Sequence, residues 1–189
     1  VSLKPIPIFR NFLSILENPF FVIYTLSGAV AFSGLFAYLA GSPVIFMKVF
    51  QVSAQVYGWI FALISVGLIG ASQLNVFALK RWSSVKILTT AYFAQALTGV
   101  LFAVGTYLNW YGLEVTILFF FVFLSCLGFT NPNAASLSLA PFSRNAGRAA
   151  ALMGFLQIGL GAISSMMIGL LSVQESFPVA AILSGTSFF

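Results

Sequence analysis

The chain contains no histidine and no aspartate, and its acids are Glu17, Glu114 and Glu175 alone. Without His or Asp, neither a Ser-His-Asp triad nor a histidine metal site nor an aspartyl dyad can be assembled. That inventory argues against an enzyme. One cysteine, Cys126, cannot close an internal disulfide, so thiol content says nothing about redox compartment. Charge is scarce in general: 6% of the 189 residues are charged, against about a quarter in a soluble globular chain. So few charges cannot solvate the surface of a water-soluble domain. The net charge of +5 is spread too thinly to form a basic stripe, which argues against nucleic acid as a partner.

What replaces charge is apolar sequence. The composition is 60% hydrophobic, with a mean hydropathy of +1.06. Charge-free stretches run Asn18–Met47, Val49–Leu79, Ile87–Leu113, Val115–Ser143 and Ala149–Gln174, with 176–189 as a shorter sixth. A helix needs roughly 20 apolar residues to cross the hydrocarbon core. Backbone groups find no water there, so spans of this length should be helices. A membrane β-barrel would alternate over about ten residues, whereas Phe119 to Leu124 is apolar on every side. The expected fold class is an all-α polytopic membrane bundle. Its spans are expected at about 19–39, 54–74, 87–107, 113–139, 148–171 and, in part, 177–189. Pro19 suits a first helical turn, Ser53 an N-cap, and Gly41-Ser42-Pro43 a stop. The start at Val1 and the sixth span ending at Phe189 suggest a piece of a longer protein.

The charges also orient the spans. Lys4, Arg10, Lys80, Arg81, Lys86, Arg144 and Arg148 fall on one side, against Glu17, and Lys48 alone on the other, with Glu114 and Glu175. The positive-inside rule then places the N-terminus in the cytoplasm. Tyr57, Trp59, Tyr107, Trp110 and Tyr111 gather at the predicted outer ends, and Trp82 at an inner one. Residues 1–18 are too short to span; Ile8, Phe12, Ile15 and Leu16 fit either a short surface helix or a linker.

Candidate sites follow from polar and small residues inside the spans. No carboxylate lies there, so the chain holds no carboxylate proton relay of its own. Tyr24, Ser27, Ala31, Gly34, Tyr38 and Gly41 share one face of the first span. Tyr24, Ser27 and Tyr38 could line a substrate path, or the face could serve close helix packing. Pro132 interrupts the fourth span, and Asn131 and Asn133 beside it must either satisfy the broken turn or bond a substrate. In the fifth span, Gly147, Ala150, Ala151, Gly154, Gly161 and Ser165 form one stripe, which the small-residue rule reads as a packing surface. Gln73 and Asn75 look like caps or interface anchors.

Two groups of segments together resemble the bicyclomycin/chloramphenicol-resistance (Bcr/CflA) type of drug efflux transporter in the major facilitator superfamily. One is Ala31 to Pro43, followed by Gly70-Ala71-Ser72-Gln73-Leu74-Asn75. The other is Asn131-Pro132-Asn133-Ala134-Ala135 through Ala140-Pro141-Phe142, then Ala146 to Ala151 and Gly159-Leu160-Gly161-Ala162. The resemblance covers nearly the whole chain and implies the C-terminal six-helix half, with the last helix cut short. It implies two halves rocking around a midplane cavity, a missing N-terminal half as partner, and a small amphipathic molecule as substrate. No cofactor is implied, since the proton gradient supplies the energy through residues outside this chain. By the same resemblance, Tyr24, Ser27, Tyr38 and Asn131 are cavity candidates, and Gly147, Ala151, Gly154, Gly161 and Ser165 a half-to-half contact. The loop Leu79 to Ser84 departs from the Gly/Asp-rich loop signature of the superfamily. The alternatives are a facilitator carrier for a nutrient or metabolite, and a non-transporting scaffold bundle. The expected location is the inner membrane, with the lipid bilayer around the spans.

Overall fold

The computed structural model describes residues 12–108, 110–142, 145–171 and 177–186. Most of the predicted N-terminal surface segment, and Arg144 and Glu175, lie outside them; within them, residues 12–16 form a short helical stretch. The described residues hold no strand. Six helices follow in order: α1 (Pro19–Pro43), α2 (Ala54–Ala78), α3 (Ser84–Tyr107), α4 (Leu113–Leu139), α5 (Ala146–Leu171) and α6 (Phe177–Gly185). The first five are long and apolar enough to cross a membrane. The fold is an all-α polytopic bundle.

Local chemistry sets the helix ends. Asn18 caps α1 by accepting from the Phe21 N–H at 3.2 Å, with Pro19 in the first turn. Ser53 caps α2 and Ser83 caps α3, each accepting a backbone N–H three residues on. Inside the spans, hydroxyls fold back onto their own helix. Ser65, Thr98, Thr106, Thr116 and Ser125 each donate to the carbonyl four residues earlier, at 2.7–3.0 Å. In hydrocarbon this is how a hydroxyl is satisfied without a water or a neighbour.

Gly41-Ser42-Pro43 does not stop the first span. The helix continues through Pro43 into a π-helical turn, Val44–Val49. The Phe50 N–H reaches the Ile45 carbonyl at 3.0 Å and the Val52 N–H the Phe46 carbonyl at 2.9 Å. The wider turn carries buried Ile45 and Phe46 inward, and their burial outweighs the helix bond lost at proline. Gln51 then leaves the helix with a positive φ of 52°.

Helices α1 and α4 form the centre of the bundle. α1 packs most extensively on α5 and also on α4 and α6, while α4 packs on α2 and α3, and α3 on α6. Glycines permit the closest crossings. At Gly128 of α4 a Cβ would run into the Leu68 carbonyl of α2, and 2.9 Å from the Ala71 Cβ. At Gly28 of α1 it would lie 2.8 Å from the Ala134 Cβ of α4. One end of the bundle is an aromatic cluster: Tyr38 stacks on Phe61 at 5.9 Å and tilts against Phe120 at 5.1 Å, and Phe46 joins both Tyr57 and Phe120. Trp59, Tyr107 and Trp110 are exposed at this end, and Trp82 is half exposed at the other.

Candidate functional site

The polar side chains of the spans pair across helices. Tyr92 of α3 donates to the Ser27 Oγ of α1 at 3.2 Å, and Ser27 donates on to the Tyr24 carbonyl at 3.4 Å. Gln157 of α5 donates through Nε2 to Asn131 Oδ1 of α4 at 3.1 Å. Asn133 of α4 donates to Asn75 Oδ1 of α2 at 2.7 Å and to the Phe129 carbonyl at 2.8 Å. Ser184 of α6 donates to the Gly99 carbonyl of α3 at 2.6 Å. The four bonds between helices tie four different pairs.

Proline explains why the asparagines sit where they do. Pro132 has no N–H to offer the Gly128 carbonyl. The Asn133 amide bonds Phe129 on the neighbouring row and reaches α2 with the same group. Asn131, facing another way, meets Gln157. Both Asn131 and Gln157 are half-buried, whereas Asn75 and Asn133 are buried. Asn131 is three residues from Ala134, the residue that meets Gly28, so the pair lies about one helical turn from the α1–α4 crossing.

The four cavity candidates do not converge. Tyr24 and Ser27 are half-buried and share a bonded group with Tyr92. Asn131 belongs with Gln157. Tyr38 lies eleven residues beyond Ser27, about 16 Å along the helix, and is buried in the aromatic cluster. The fifth-span stripe divides as well. Gly161 is buried where a Cβ would run into the Phe36 ring of α1, and Ser165 donates to the Phe36 carbonyl at 3.3 Å. Gly147 and Ala151 are exposed, and a Cβ at Gly147 or Gly154 would meet nothing within 4 Å. So two of the five positions pack within this chain; of the other three, Gly147 and Ala151 are exposed and Gly154 is half-buried with open space beside it.

Two residues that the sequence reading passed over belong to the polar set. Tyr92 is the partner of Ser27. Gln95, one turn on, is fully buried, and neither its Nε2 nor its Oε1 has a hydrogen-bond partner. The signal was available: Gln95 is an amide inside a charge-free stretch of 27 residues, where an amide is costly unless bonded. A groove of about 600 Å³ also opens between α1, α5 and α6, lined by Val30, Ser33, Ile163, Ser164 and Met167. Among the described residues no group of three or more His, Cys, Asp or Glu comes together. The side chains available at midspan are amides, hydroxyls and aromatics, which bind by hydrogen bonding and contact.

No family model matches the chain. Among curated proteins it is similar to an uncharacterised MFS-type transporter, YdgK, of Bacillus subtilis, at 24% identity over 178 residues. That alignment takes in 92% of this chain and 43% of the relative. It is also similar to the bicyclomycin resistance protein homolog of Haemophilus influenzae, at 25% identity over 172 residues, covering 90% of this chain and 42% of that protein. The chain thus spans about two-fifths of the length of these relatives. These two similarities, which run along about nine-tenths of the chain, support kinship with MFS-type transporters and the bicyclomycin-resistance type among them.

Proposed function

We propose that the chain is the C-terminal half of a proton-coupled multidrug exporter that moves small amphipathic compounds by alternating access. The observation that carries this reading is where the bundle is left uncovered. Of the five spans, α5 and α2 are the least buried; on α5, Gly147 and Ala151 are exposed, and a Cβ at Gly147 or Gly154 would meet nothing within 4 Å. A second six-helix half seated on those two helices would cover both and enclose the half-buried Asn131–Gln157 pair between the halves. Proton coupling would fall to the other half, since the spans of this one hold no carboxylate. The chain would sit in the inner membrane with Lys80, Arg81, Lys86 and Arg148 on the cytoplasmic side. Similarity to a bicyclomycin resistance homolog supports export over nutrient uptake. Burial of Tyr38 is the one feature that favours a non-transporting scaffold.

The test is growth and efflux by the natural protein that contains this chain, expressed in an efflux-deficient host and challenged with a panel of amphipathic antibiotics. Resistance that collapses with the proton gradient is expected. Gln157→Ala or Asn131→Ala should change which compounds are exported while leaving the protein in the membrane. No resistance to any compound, together with uptake of a nutrient, would replace the reading with the carrier alternative.

A further inference from the structure

Away from the polar midspan, the loop between α2 and α3 overhangs a groove of about 1030 Å³. Lys80, Arg81 and Lys86 line its mouth, with Trp82 beside them. Its interior is Leu74, Ala91, Ala94 and Phe129, reaching Cys126 on α4. Leu74 is six residues below Lys80 and Ala94 eight beyond Lys86, so the trough runs about 9–12 Å down from the cations, parallel to the helices. No acidic side chain is among its described lining residues. Glu114 begins α4 fifteen residues before Phe129, about 22 Å away along the helix.

We propose that this groove binds one anionic phospholipid, with its phosphate against Lys80, Arg81 and Lys86 and an acyl chain in the trough between α2 and α3. The occupant must be anionic, because three cations line the same groove and no carboxylate is among its described lining residues. It must also carry an apolar tail running along the helix axis, because apart from Thr90 and Cys126 the space below the cations is walled by apolar side chains. A free phosphate would leave the trough empty, and a zwitterionic lipid brings no net charge to the mouth. Charge at headgroup depth with an apolar channel beneath it is the geometry of a lipid in a bilayer leaflet. The inference rests on the chain spanning a membrane and not on transport.

The test uses the natural protein that contains this chain, purified in detergent, with phosphatidylglycerol and phosphatidylethanolamine as probes and intact-protein mass spectrometry as the readout. One phosphatidylglycerol should be retained in roughly tenfold or greater preference over phosphatidylethanolamine. Lys80→Gln, Arg81→Gln and Lys86→Gln together should abolish the preference. Ala94→Phe, which fills the trough and keeps every cation, should lower phosphatidylglycerol retention to a similar degree. A phosphatidylglycerol with a photoreactive acyl chain should also label residues 74–78 or 91–94 of the unsubstituted protein, which holds even if a variant fails to fold. Equal retention of the two lipids, or labelling confined to other segments, would overturn the proposal. Retention unaffected by Ala94→Phe would reduce the site to surface charge, and displacement by excess inorganic phosphate would make it a small-anion site; both reject a seated lipid.

Discussion

Glycines in this chain divide into those that hold a neighbour and those that face nothing, and the difference is measurable. A methyl group at Gly128 would be driven into the Leu68 carbonyl of α2, and backbone cannot step aside as a side chain can. Gly128→Ala should therefore cost about 1–3 kcal/mol. Gly154→Ala, with open space around it, should lose no stability and gain up to about 1 kcal/mol from the better helix former. Thermal unfolding of the two variants in the same detergent checks both; equal losses would show that the crossing at Gly128 relaxes freely. Asn75 and Asn133 give a second comparison. Asn133 keeps its bond to the Phe129 carbonyl when Asn75 is removed, so Asn75→Ala should cost only about 1 kcal/mol. Most of that cost should vanish in an Asn133→Ala background. Strictly additive losses in the four-protein cycle would mean that the 2.7 Å contact contributes no coupling.

Helices as units were largely legible before any coordinates. Lys48, the Lys80–Lys86 group, Glu114 and Arg148 mark the ends of the apolar stretches because charge is expelled from hydrocarbon, and each falls in a connection or an end turn of a helix, never in mid-span. Which side of each helix is buried was legible only in part: Ala31, Gly34, Tyr38 and Gly41 on the small-residue face of α1 are buried, but elsewhere the sequence shows little contrast. In water a helix advertises its inner face by being apolar there and polar elsewhere; in lipid both faces are apolar and the contrast disappears. Hence the α5 stripe looked uniform in sequence, yet Gly161 and Ser165 pack on Phe36 while Gly154 does not. Hence also Tyr38, placed by its neighbours on a polar face, is held by Phe61 and Phe120. Orientation of the helices is testable at this scale. In a Cys126→Ser background, Ser84→Cys should resist an impermeant thiol reagent in intact cells, and Gln55→Cys should be labelled. The opposite result would invert the assignment drawn from the basic residues.

Taken as one body, the bundle has an open flank on α5, and its role separates two outcomes. Gly154→Leu adds four carbons to that flank. If the flank meets a second half in one access state, the substitution should leave abundance in the membrane normal and slow export. An overpacking cost of about 1.4 kcal/mol in that state shifts its population roughly tenfold. Unchanged export would mean that the flank faces lipid; loss of the protein would mean that it packs within this half. The crossing of α2 and α4 carries a different consequence. Pro132 removes the N–H that would brace the Gly128 carbonyl, so α4 is most pliable just where Leu68 and Ala71 lie against it. A bend of α4 at that level pushes directly on the backbone of α2, and Asn133, bonded to Asn75 one turn further along, pulls on the same helix. Any such bend would therefore be passed to α2 at two levels, Gly128 and Asn133, and from α2 to the loop that joins it to α3.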